Sequence, residues 1–115
     1  PWKIPLKLVD SLQGMVSINM IQVVRWASTI ALFRESGRLL NKGQYLILYG
    51  PFKICNKHTS QSNYLFDNSL RMQNELWGIR NLEEVSLEAE KNGFYQEDKI
   101  SMPANNFSII YRKLS

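Results

Sequence analysis

The sequence predicts an α/β protein, and two observations carry that prediction. The first is the stretch from Lys42 to Phe52, where Tyr45 to Tyr49 form an unbroken apolar and aromatic run between Gly43 and Gly50-Pro51. A run of that length, bounded by turn residues, reads as a strand buried on both faces. Such strands belong mostly to parallel sheets covered by helices. The second observation is the alternation around it: strand, helix, strand, helices, strand, strand. That order implies right-handed crossovers and a mainly parallel sheet with an antiparallel last strand and helices on its faces.

Each element has its own signal. Pro1 and Pro5 resist regular structure in the first thirteen residues, where Leu6, Leu8 and Leu12 offer only loose packing. Gly14 to Ile21 is β-rich and mostly apolar, and reads as the first strand. Trp26, Ile30, Phe33, Gly37 and Leu40 recur at helical spacing, with Leu32 and Leu39 widening the stripe, so Trp26 to Asn41 reads as a helix. Gly37 weakens that helix and is expected to permit close packing on the sheet. Asn41-Lys42-Gly43 stops it, and the central strand follows.

Lys53 to Asn63 reads as a polar loop carrying Cys55 and the single histidine, His58. A second helix is expected from about Ser60 or Ser62 through Tyr64, Leu65, Phe66, Leu70 and Met72. Trp77-Gly78-Ile79 breaks that pattern. Asn81 opens a third helix with a capping-box spacing to Glu84, and Leu82, Val85 and Ala89 form its buried stripe. Asn92-Gly93 ends it. Phe94 to Met102, a Pro103-Ala104-Asn105-Asn106 turn and Phe107 to Tyr111 then make a hairpin.

Composition narrows the function classes. The chain has 115 residues, read as a single domain over 1–115. It begins with Pro rather than Met, which fits a processed chain or a piece of something longer. With one cysteine, there is no internal disulfide framework, and the chain suits a reducing, cytoplasmic setting. No run approaches the ~18 apolar residues of a membrane helix, and the first residues lack the pattern of a signal peptide. The net charge of +4 is dispersed along the chain. Nucleic-acid binding needs clustered charge, so it is not expected.

Several chemistries can be weighed directly. The six glycines never fall two residues apart, so there is no Gly-x-Gly phosphate loop. Cys55-x-x-His58 has metal-like spacing but no second pair to complete a tetrahedral site, and reads as a free thiol beside a polar histidine. Glu83, Glu84, Glu88 and Glu90 read as a solvated helix face. Trp26, Trp77, Tyr49 and Phe52 have the chemistry to stack on a planar ligand, although aromatics at such spacing are more often core. Asn19, Asn105 and Asn106 sit at strand ends, where an amide offers a ligand both donor and acceptor or simply caps a turn.

Ligands of open α/β sheets bind beyond the carboxyl ends of the strands. Tyr49, Gly50, Pro51 and Phe52 are therefore the first place to look. The predicted topology brings two other loops to that edge, Asn19 to Val23 and Met102 to Asn106.

Particular residues then point to a family. Asn19-Met20-Ile21, Tyr49-Gly50-Pro51-Phe52 and His58-Thr59-Ser60-x-Ser62-Asn63 occur in order, followed by Phe66-Asp67 and Leu70-Arg71. Trp77-Gly78-Ile79-Arg80 and Met102-Pro103-Ala104-Asn105-Asn106 complete the set. From about Leu12 to Lys113 the chain resembles the C-terminal half of a class I S-adenosylmethionine-dependent methyltransferase-like family, long catalogued as a domain of unknown function. The resemblance implies a Rossmann-like sheet, of which this chain supplies the fourth through seventh strands. It lacks the first two strands, which hold the cofactor with an acidic-x-Gly-x-Gly-type loop.

By the same resemblance, Asn19, Met20 and Ile21 lie beside the cofactor. Tyr49 to Phe52, the His58 to Asn63 segment (with Ser62) and Asn105-Asn106 line the acceptor side. Catalytic residues are not assigned. Members typically follow Asn-Met-Ile with His and a Ser-Pro-type turn, where this chain has Gln22, Val23, Val24 and Arg25, so an imidazole base is missing there.

Two functions follow from this reading. One is methyl transfer from S-adenosylmethionine in the full-length form, to an unidentified small-molecule or protein acceptor, with weak or absent cofactor binding in this chain alone. Such transfer needs little beyond orienting the acceptor in line with the sulfonium. The other is a non-catalytic module acting through protein interaction. Met15 to Ile21, without its family neighbour strand, is expected to be an open edge through which the chain self-associates.

Overall fold

The computed structural model describes residues 14–18 and 21–115, and side chains from residue 21 onward. Strand β1 (Gly14–Ile18) leads to a 3-10 turn at Ile21–Val23 and helix α1 (Trp26–Leu39). Strand β2 (Tyr45–Gly50) is followed by the two short strands β3 (Lys53–Ile54) and β4 (Lys57–His58). Helices α2 (Gln61–Gln73) and α3 (Leu82–Lys91) come next, then β5 (Phe94–Met102), a 3-10 turn at Pro103–Asn105, and β6 (Asn106–Lys113).

The main sheet has the order β1-β2-β6-β5. β1 runs parallel to β2 from Gly14↔Tyr45 to Ile18↔Tyr49. β6 then lies antiparallel to both β2 and β5, with Tyr45↔Arg112 and Phe94↔Lys113 in register. The expected mainly parallel sheet is therefore corrected, since one described pairing is parallel and two are antiparallel. The reason is the terminal hairpin: its second strand enters between β2 and β5 and reverses direction against both.

The central strand is as its composition requires. Leu46, Ile47, Leu48 and Tyr49 are all buried, so both faces of β2 are covered. On one face Leu46 and Leu48 pack with Phe33, Val85, Ala89, Phe94, Ile109 and Tyr111. The Phe33 ring meets Tyr111 edge-on at 5.7 Å and Phe94 at 6.4 Å, locking α1 onto the hairpin.

Helix α1 is rotated slightly from the sequence reading. Its buried line is Thr29, Phe33 and Ser36, continued by Leu40, while Leu39 points outward. Gly37 meets the end of α3 instead of the sheet: a Cβ there would stand 2.9 Å from the Asn92 carbonyl oxygen.

Helix α2 departs further. Ser60 caps it, accepting the Asn63 amide at 3.1 Å. Its buried residues are Asn63, Asp67 and Leu70, whereas Tyr64, Leu65, Phe66 and Met72 are exposed. A polar face turned inward is stable only where each group finds partners, and the site supplies them.

The expected Lys53–Asn63 loop contains a tight hairpin. Cys55 and Asn56, at φ 51° and 64°, form the left-handed turn between β3 and β4. Its two amides bond to α3: Cys55 donates to Glu83 Oε1 at 2.9 Å and Asn56 to Asn81 Oδ1 at 2.9 Å. Asn81 is thus the N-cap residue of α3 with its side chain spent on the hairpin, not on a capping box. Glu83 likewise does more than solvate its helix.

Candidate functional site

A cavity of about 540 Å³ opens where several loops converge at the carboxyl end of β2. Gln22 and Val23 come from the turn after β1, and Pro51 from the stop after β2. Ala104 and Asn106 come from the turn joining β5 to β6. The first turns of α2 close the wall with Ser62, Asn63 and Phe66.

Asn63 is the centre of the polar wall. It is 5% exposed, and its side-chain Nδ2 donates to the Asn105 carbonyl at 3.1 Å and to Thr59 Oγ1 at 3.3 Å. Asn105 returns the tie, its own Nδ2 donating to Ser62 Oγ at 3.3 Å. Ser62 in turn lies 3.1 Å from Ser60 Oγ. These bonds fasten the start of α2 to a turn in which Ala104 and Asn105 hold φ of 61° and 59°. Ala pays for a left-handed backbone and Asn less so. Strain of this kind persists where the surroundings over-determine it.

Behind the wall, Asp67 is the anchor. Its side chain is 5% exposed, and Oδ1 accepts the Ile79 amide at 2.8 Å and Arg71 Nε at 3.1 Å. The other oxygen lies 3.1 Å from His58 Nε2. The His58 ring meets Tyr64 edge-on at 5.6 Å. Gly78 is required here by close approach, since a Cβ would stand 3.0 Å from Asp67 Oδ1. The Gly78 amide donates to the Gln22 carbonyl at 2.9 Å, so the Asp67 cluster sets the position of the opposite wall.

Arg80 completes that brace. It donates to the Val24 carbonyl at 2.7 Å, the Leu76 carbonyl at 2.8 Å and the Ile21 carbonyl at 3.4 Å. Its guanidinium sits 5.7 Å over the Trp26 ring. Burial, and next the neighbouring charge of Arg71, lower its pKa from the ordinary value.

The residues singled out from sequence fall into distinct positions. Pro51, Ser62, Asn63 and Asn106 line the cavity, and Asn105 ties two of its walls together. Tyr49, Gly50 and Phe52 are buried at the end of β2, so their contribution is the framework. His58 is not among the lining residues; it stands behind them on Asp67. Ile21 is buried in the 3-10 turn, and Asn19 and Met20 lie outside the described residues. Among the aromatics, Trp26 stacks with Arg80, and it is Phe66, half-exposed, that faces the cavity.

Asp67, Phe66 and Ala104 were not singled out as site residues. Asp67 and Phe66 are adjacent in the motif Phe66-Asp67, and the one carboxylate of that helix, beside a ring, is the signal that marks them. Among the described residues no cluster of His, Cys, Asp or Glu is arranged to hold a metal, and no helix is long and apolar enough to cross a membrane.

This arrangement is a mixed α/β fold similar to part of the S-adenosylmethionine-dependent O-methyltransferases. The pyocyanin biosynthetic protein PhzM superposes with a TM-score of 0.71 at 17% identity over 90% of this chain. Human N-acetylserotonin methyltransferase, solved with S-adenosylmethionine, gives 0.73 at 13% identity over 88%. The O-methyltransferase NcsB1 from neocarzinostatin biosynthesis, solved with S-adenosylmethionine and a naphthoic acid, gives 0.67 at 16% identity over 88%. The chain spans 31%, 29% and 29% of those proteins, and identities this low show the fold alone. By sequence the chain belongs to the family described as protein of unknown function (DUF938), matched over residues 1–113.

Proposed function

We propose that the chain is the acceptor-side part of an S-adenosylmethionine-dependent methyltransferase, active in its full-length form. The observation that supports this is the cavity at the carboxyl end of β2, on a fold shared with enzymes solved with that cofactor. Asn19, Met20 and Ile21 then lie toward the cofactor. Ser62, Asn63, Phe66 and Asn106 face the acceptor, while His58 and Asn105 are positioning residues.

The described residues do not hold S-adenosylmethionine by themselves. The cavity lining offers no carboxylate for ribose hydroxyls or an ammonium group, and the Ile21 carbonyl is turned to Arg80. What this chain does is bind and orient: Asn63 fixes the wall, and Pro51 and Phe66 exclude water. Holding an acceptor in line supplies much of the barrier reduction a displacement reaction needs.

A second reading, a non-catalytic interaction module, draws on the exposed apolar side chains of α2 and its following turn, Leu65, Met72 and Leu76. Incubating the full-length form with methyl-labelled S-adenosylmethionine and a small-molecule extract separates the two. Label in a low-mass product supports methyl transfer, and enzyme-independent label alone supports the module.

A further inference from the structure

The chemistry of the cavity wall bears on what it accepts. Among the described residues, every side chain lining it is uncharged: Gln22, Ser62, Asn63 and Asn106 are polar, the others apolar. A charged ligand entering there would lose hydration without gaining a counter-charge, which is costly. A neutral ligand loses little.

Asn63 adds a direction to that selection. A carboxamide has two N–H donors and one acceptor oxygen. Both donors are committed, to Thr59 Oγ1 and to the Asn105 carbonyl. The carbonyl at Asn105 accepts only, which fixes the amide's orientation. Oδ1 makes no hydrogen bond among the described residues, so the function Asn63 has left is to accept one. Phe66 and Pro51 supply flat apolar surface in the same cavity, and an aromatic ring there favours a planar partner.

Resting on the methyltransferase reading of this site, we propose that the cavity takes an uncharged, planar molecule that donates an N–H or O–H hydrogen bond to Asn63 Oδ1. A ligand that covers this oxygen without donating to it leaves an acceptor buried and unpaired, which is penalised more than a pair is rewarded. The donor is therefore a selective feature, and the ring supplies most of the contact.

Four probes test this on the 115-residue chain by backbone amide NMR titration: phenol, anisole, benzoate and benzylammonium. Phenol is expected to shift the amides of Ser62, Asn63, Phe66, Ala104 and Asn106. Anisole, with the donor blocked, is expected to bind about tenfold more weakly. The two ions are expected to leave these amides unmoved. Asn63→Ala should erase the difference between phenol and anisole. Since that variant risks the fold, Phe66→Ala at the half-exposed ring serves as the second, weakening both neutral probes about tenfold. Equal binding of phenol and anisole, binding of either ion as tight as phenol, shifts confined to another surface, or no shift with any probe would each overturn the proposal. None of the probes involves S-adenosylmethionine, so a negative result here leaves the methyltransferase reading standing, and failure of methyl transfer leaves these titrations to be judged alone.

Discussion

The side chain of Asn63 reaches across 42 residues of sequence to donate to the Asn105 carbonyl at 3.1 Å. That bond holds the β5–β6 turn against α2 and, with it, the left-handed Ala104 at φ 61° and ψ 34°. An alanine in that region costs roughly 1–2 kcal/mol over a relaxed backbone, part of which glycine returns in unfolded-state entropy. Ala104→Gly is therefore expected to stabilise the chain by about 0.5–1 kcal/mol. Urea unfolding measures it, and destabilisation would mean the turn is not strained as described.

Asp67 accepts from two donors and lies beside His58 at a buried position, and Asp67→Ala leaves the Ile79 amide without its acceptor. We expect a loss of roughly 2–4 kcal/mol. His58→Ala removes only the partly buried imidazole and should cost about 1 kcal/mol. If the two variants lost equal stability in denaturant titrations, Asp67 would not be the anchor of this wall.

The Tyr111 phenol is fully buried and shares a 2.9 Å hydrogen bond with Ser86 Oγ. Burial raises its pKa above the ordinary range, outweighing the Ser86 bond, which lowers it. A raised pKa means that the folded state keeps its proton longer than the unfolded chain. The associated stability is complete below the unfolded value of about 10 and is lost as pH rises above it. Thermal unfolding should show the midpoint falling above that pH, and Tyr111→Phe should flatten the fall. An unchanged slope in the variant would assign the effect to other groups.

The central strand was legible because Tyr45 to Tyr49 admits few alternatives: an unbroken apolar run between turn residues has to be buried. The hairpin was legible from Pro103-Ala104-Asn105-Asn106. The sheet order was not, because insertion of β6 beside β2 depends on tertiary pairing that no local pattern encodes. Helix α2 misled for a related reason. Periodicity assumes polar residues face water, but Asn63 and Asp67 each find enough partners to be buried. The Cys55–Asn56 turn was hidden because it lacks the glycine that usually announces a two-residue hairpin, although Asn56 tolerates a left-handed backbone. Loops at the sheet edge pointed to the cavity, while Phe66 was read only as one residue of the second helix.

The β1 edge carries a separate expectation. Among the described strands, β1 pairs on one side only, with β2, and Gly14 to Ile18 contains no charge. Uncharged open edges recruit further strands. We propose that the isolated chain self-associates through this edge, Met15 to Ile18; Ile21, expected to extend the strand, is instead buried in the 3-10 turn, and Asn19 and Met20 lie outside the described residues. Val16→Lys should raise the monomer fraction in sedimentation at tens of micromolar. A wild-type chain that stays monomeric there would remove this proposal.

The most direct test of the methyltransferase reading is calorimetric titration of S-adenosylmethionine into the full-length form and into the 115-residue chain under the same conditions. One micromolar site is expected per full-length chain and no comparable binding to the shorter chain, which in the proposed function contributes the acceptor side and not the cofactor cradle. Micromolar binding by the 115-residue chain, or none by the full-length form, would contradict it.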